Sequence, residues 1–115
     1  MSVVIYHNPR CSKSRQTLEL LRSNGVEPEI REYLKSPPSA AEIEELLGLL
    51  GMEPVALMRR KEAPFKELGL GDSSKDRATL VQAMHDNPVL IERPIVIANG
   101  KAAIGRPPED VLKIL

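Results

Sequence analysis

The chain has 115 residues, a length that fits one domain over residues 1–115 and leaves no room for two cores of ordinary size. Charged residues make up 28%, hydrophobic ones 42%, and the formal net charge is zero, so neither disorder nor the basic excess of a nucleic-acid binder is indicated. A single cysteine excludes an internal disulfide framework and any zinc site built from several thiolates, no tryptophan and 3% aromatics argue against base stacking, and the expected compartment is reducing.

Val3-Val4-Ile5-Tyr6 reads as a short buried strand that His7-Asn8-Pro9 ends with turn chemistry. It has neither the flank nor the apolar length of a secretion signal, and no stretch approaches the ~20 apolar residues of a membrane helix, so a soluble cytoplasmic protein is expected. From Cys11 onward the pattern becomes helical, with Leu18 and Leu21 on one side, Leu20 widening that face and Asn24-Gly25 as the stop. The only cysteine thus sits at the mouth of a helix, where unpaired amides and the positive end of the dipole favour an anion. With Arg10, Lys13, Arg15 and His7 as available cations, such a placement lowers a thiol pKa, and the same amides suit a tetrahedral oxyanion. The plainer alternative is a lone cysteine packed as a small inert hydrophobe.

Glu29 to Leu34 alternates charged and apolar residues, as a strand with one wet face near a sheet edge does, and completes a βαβ unit with parallel strands. Lys35-Ser36-Pro37-Pro38 breaks the chain. Ser39-Ala40-Ala41-Glu42 is a capping box that opens a helix through Ile43, Leu46, Leu47 and Leu50, stopped by Gly51. Met52 to Arg60 predicts a short helix entered at Pro54, delivering Arg59-Arg60 into a loop that ends near Ala63-Pro64. Either one of that pair faces the cysteine or both belong to a solvated basic turn. A further helix is expected from Ser73 to Asn87, with Leu80 and Met84 inward and His85 in a last turn that requires no functional role of it.

Arg93-Pro94-Ile95-Val96-Ile97 and Ala102-Ala103-Ile104 flank Asn99-Gly100, the strongest local signal for a hairpin. Gly105-Arg106-Pro107-Pro108-Glu109 opens a last helix, with Val111, Leu112 and Leu115 for packing. The elements add up to an α/β domain on a small mixed four-stranded sheet, with a helical insertion between the βαβ unit and the hairpin plus helix. The thioredoxin-like fold has this order, with the loop at Pro94 facing the thiol and a cis bond expected at Arg93-Pro94.

Tyr6-His7-Asn8-Pro9-Arg10-Cys11-Ser12-Lys13-Ser14-Arg15 closely resembles the active-site loop of the glutaredoxin-coupled arsenate reductases. Ser36-Pro37-Pro38, Arg59-Arg60-Lys61, Glu67-Leu68-Gly69-Leu70, Glu92-Arg93-Pro94-Ile95-Val96 and Gly105-Arg106-Pro107 resemble that family's other motifs in the same order, over essentially the whole chain. The resemblance implies a thioredoxin-like fold with a helical insertion, Cys11 as nucleophile and Arg59, Arg93 and Arg106 around the oxyanion. His7 matches a position that favours the thiolate, and Asn8, Ser14 and Arg15 stand as supporting groups. It also implies arsenate as substrate, glutathione as co-substrate and glutaredoxin as partner; no bound cofactor or metal is implied, and charge balance and the lack of a long apolar stretch point to neither nucleic acid nor membrane. Two other readings share the fold. One is a glutathione-dependent thiol reductase; the other is an Spx-type regulator binding RNA polymerase, whose members typically carry Cys-x-x-Cys where this chain has Cys11-Ser12-Lys13-Ser14.

Overall fold

The computed structural model describes residues 2–115; Met1 lies outside them. The chain divides into two compact units, one running to Ser36 and resuming at Arg93–Leu115, the other Pro37–Glu92.

The first unit is built on four strands, β1 (Val3–Tyr6), β2 (Glu29–Arg31), β3 (Ile95–Ala98) and β4 (Lys101–Ile104), in the order β2-β1-β3-β4. β1 is parallel to β2 and antiparallel to β3, which is antiparallel to β4. Helix α1 (Ser12–Ser23) joins β1 to β2, and Leu18 and Leu21 meet Val3, Ile5, Val96, Ala98 and Val111 in one core. This is the thioredoxin-like arrangement. β2 is an edge strand, as the charged alternation suggests, but it is shorter than Glu29–Leu34. It can pair only as far as β1 runs. The register ends at Tyr6 opposite Arg31, the His7 amide makes the last bond to the Arg31 carbonyl at 2.8 Å, and Tyr33 turns inward to full burial while Leu34 stays exposed.

Asn99 and Gly100 both take positive φ, 55° and 70°, and turn β3 into β4 as expected. The terminal element is a 3-10 helix, Pro108–Ile114, rather than an α-helix. Three residues per turn put Pro108, Val111 and Ile114 on one face, so Ile114 packs against the core and Leu115 is exposed, reversing the role given to Leu115. Besides Arg93-Pro94, the Arg106-Pro107 bond is cis.

In the second unit α2 (Ala40–Leu50) opens on the full capping box, with Ser39 Oγ accepting from the Glu42 amide at 3.1 Å and Glu42 Oε1 accepting from the Ser39 amide at 2.9 Å. Gly51 closes it at φ 64°. The helix expected over Met52–Arg60 is only a 3-10 turn, Pro54–Leu57. Met58 instead extends into an antiparallel bridge with Ile91, and the Arg59 amide donates to the Leu90 carbonyl at 2.7 Å; that tertiary pairing outweighs local helical preference. Short helix α3 (Ala63–Glu67) begins where the expected loop ends, in a stretch to which the sequence assigns no element. Helix α4 (Arg77–Asp86) begins four residues after Ser73, because Asp76 caps it by accepting from the Thr79 amide at 2.8 Å. Among the described residues no helix is long and apolar enough to cross a membrane.

Candidate active site

Cys11 is the residue that caps α1, with extended backbone angles (φ −92°, ψ 123°) and an intermediate exposure. Its amide donates to the Asn8 carbonyl at 3.0 Å, and its own carbonyl accepts from Arg15 at 3.0 Å, so the loop tightens into the first helical turn. Arg15 then reaches back, donating from Nη1 to the Pro9 carbonyl at 2.9 Å, while Asn8 Oδ1 accepts from the Arg10 amide at 3.0 Å. Each of these polar contacts is local. They explain why a short loop rich in polar residues holds one shape.

Ser14 supplies the buried anchor. Its hydroxyl oxygen accepts from the Asn8 amide at 3.0 Å and lies 2.6 Å from His7 Nδ1, with the shared proton on either partner. Ser14 is fully buried and His7 is buried too. Burial is the main cause holding the His7 pKa below its ordinary 6.5, aided by Arg22 and Arg15 and opposed by Glu32. At neutral pH His7 is therefore an uncharged ring and not the cation that the sequence offers.

Burial taken alone pushes the Cys11 thiol up, yet the net direction is down. A hydrogen bond from the Ser14 backbone, the charge of Arg93, a second backbone bond from Lys13 and the charge of Arg106 together outweigh desolvation. The charges acting on the thiol thus come from far along the chain, and Lys13 acts through its amide. Arg106 Nη2 donates to Cys11 Sγ at 3.7 Å, a length ordinary for sulfur, and Arg106 Nε donates to the Arg93 carbonyl at 2.8 Å. The hairpin and its flanks therefore carry both guanidinium groups to the mouth of α1. A thiolate beside helix amides and two planar cations is equipped to attack a tetrahedral oxyanion and to hold the charge that builds up on it.

Arg59 belongs to the other unit. There its guanidinium is half-buried, 3.6 Å from Glu62 Oε1 and 3.4 Å from the Val89 carbonyl, whereas Arg60 is exposed. The pair is thus not a uniform solvated turn. His85 Nδ1 donates to the Pro38 carbonyl at 2.8 Å, a structural contact. Among the described residues no three His, Cys, Asp or Glu side chains gather to hold a metal ion.

Thr17 is not among the residues the sequence singles out, and Gly105 enters there only as part of the Gly105-Arg106-Pro107 motif. Thr17 is fully buried on α1, its hydroxyl donating to the Lys13 carbonyl at 2.8 Å, and Gly105 is buried just before Arg106. The signal was present in the spacing: Ser14, Thr17, Leu18 and Leu21 form one helical stripe whose first two members are polar.

The sequence profile of the ArsC family matches residues 6–114. The chain is 62% identical to the uncharacterized protein YfgD of Escherichia coli (strain K12), over 98% of this chain and 96% of that one. It is 48% identical to an arsenate reductase of Haemophilus influenzae, each chain being covered completely. The solved structure of an arsenate reductase from Vibrio cholerae superposes with a TM-score of 0.97 at 55% identity, covering 100% of this chain and 98% of the other. A match that spans the whole fold and includes the cysteine loop, both flanks of the hairpin and the inserted helices makes this chain a member of the ArsC family.

Proposed function

We propose that this protein is an arsenate reductase in which Cys11 is the nucleophile. The observation that carries the reading is the pair Arg93 and Arg106 acting on a thiol that caps a helix, with Arg106 Nη2 at 3.7 Å from Sγ. The arsenate reductases among its relatives support the choice of oxyanion. The Cys11 thiolate attacks arsenic, an arsenate oxygen leaves as water, and the resulting cysteine–arsenate ester is stabilised by Arg93, Arg106 and the amides of the loop. Arg59 is the third guanidinium of the set, on the strength of the Arg59-Arg60-Lys61 motif.

The chain has one cysteine, so a second thiol within it cannot resolve the ester. Glutathione attacks the adduct, and glutaredoxin supplies the second thiol. The two external thiols give up two electrons and end as a disulfide, Cys11 returns as a thiol, and arsenic leaves as arsenite. Such a cycle needs no bound cofactor and suits the reducing cytoplasm.

The test is arsenate-dependent NADPH oxidation coupled through glutathione, glutaredoxin and glutathione reductase. The wild type turns over, Cys11→Ser is inactive, and Arg93→Ala loses most of its kcat/KM. A wild type silent with arsenate, whose Cys11 nevertheless titrates low, would reject the reading in favour of a glutathione-dependent thiol reductase.

A further inference from the structure

Resting on the arsenate reductase reading for its oxyanion but not for its geometry, we propose that Thr17 and Gly105 are a positioning pair. Their contact sets the separation between the Cys11 thiol and the Arg106 guanidinium, and with it the grip of the site on a tetrahedral oxyanion.

Gly105 lies unusually close to its surroundings. A Cβ added there would stand 2.5 Å from Thr17 Oγ1, 2.8 Å from Pro94 Cγ and 3.1 Å from Thr17 Cγ2. Carbon atoms in ordinary contact keep roughly 3.5–4.0 Å, so only a residue without a side chain lets this turn settle on α1. On its other side the turn is tied to β3 and its flank. The Gly105 amide donates to the Pro94 carbonyl at 2.9 Å and Arg106 Nε to the Arg93 carbonyl at 2.8 Å. The Arg106 amide adds a bond to the Ile104 carbonyl at 2.9 Å.

Thr17 is more than a spacer. Its hydroxyl donates to the carbonyl of Lys13, the residue whose amide serves the thiol, so the side chain that Gly105 rests upon is itself fixed to the first turn of α1. Displacement of Gly105 moves Arg106, and Arg106 is within hydrogen-bonding distance of Sγ. Thr17 and Gly105 are positioning residues that act through Arg106.

The pH profile of Cys11 alkylation by iodoacetamide tests this without arsenate or any coupling protein. An arsenate-silent wild type would therefore reject the reductase reading while leaving this test intact. In folded Gly105→Ala the profile moves to higher pH, alkylation on the acid limb of the profile slows about threefold, the effect of half a pKa unit, and KM for arsenate rises more than kcat falls. Gly105→Ala combined with Thr17→Ala removes two of the three obstructing atoms and recovers at least half of the lost rate. In an Arg106→Ala background the effect of Gly105→Ala vanishes, because no guanidinium remains to be displaced. A folded Gly105→Ala with the wild-type profile overturns the proposal, as does an undiminished effect in the Arg106→Ala background or a double variant no better than the single one. Should Gly105→Ala fail to fold, Thr17→Ile pushes the turn in the same direction and must shift the profile likewise; an unchanged profile there overturns the proposal equally.

Discussion

Ser14 shows how much a single hydroxyl carries at the mouth of α1. One oxygen anchors the Asn8 amide and the His7 ring, and the Ser14 backbone reaches the thiol. Ser14→Ala strands those partners in a buried place, and the expected cost is about 1–3 kcal/mol, read from urea denaturation. His7 contributes differently. Its folded pKa lies below the unfolded value of 6.5, mainly because it is buried, so the unfolded chain takes up the proton first. The stability that neutral His7 contributes is complete above 6.5 and is lost as pH falls from there through the lowered folded value. Urea midpoints taken at about pH 7.5 and about pH 5 should therefore differ more in the wild type than in His7→Gln. The thiol titrates in the same sense, its folded pKa being depressed. Alkylation of Cys11 should rise with pH at a midpoint below that of a free thiol, and Arg106→Ala should move that midpoint upward, since a cation that favours the thiolate is lost.

Among the elements, α1 and the flanks of the hairpin bring the thiol and two guanidinium groups together, and α2 shows what local sequence can do unaided. Its box is reciprocal and its stop is a glycine in the left-handed region, both settled within a few residues of chain. Ser39→Ala removes one half of the box, and a loss of about 1 kcal/mol is expected in denaturant titrations. The Cys11 alkylation profile should stay that of the wild type, because the groups that shift the thiol, Ser14, Lys13, Arg93 and Arg106, do not belong to α2. The departures from expectation occur where an element answers to a distant partner. β2 stops where β1 does, Met58 leaves a helical path to pair with Ile91, and the terminal helix winds with three residues per turn so that Ile114 reaches the core.

For the molecule as a whole, net charge is zero while the thiol stands beside two arginines, so local and not global charge must draw an anion. Arsenate bound there should stabilise the folded chain by mass action, by about 2.7 kcal/mol at a hundredfold excess over Kd, and the rise in Tm should be lost in Arg93→Ala and in Arg106→Ala. Much of the architecture was legible in residue order. The β-branched run of β1, the capping box of α2, Asn99-Gly100 and the position of Cys11 at a helix mouth are determined by near neighbours, whose sterics and hydrogen bonds act within one or two turns. The motifs likewise pointed to the family. The resemblance already set Arg93 and Arg106 around the oxyanion; tertiary structure decided that they, rather than Arg10 and Arg15, are the charges that lower the Cys11 pKa, that His7 is neutral, and that Gly105 must lie against Thr17. Those properties depend on burial and on distances between segments some ninety residues apart, and neither is a property of any short stretch of chain.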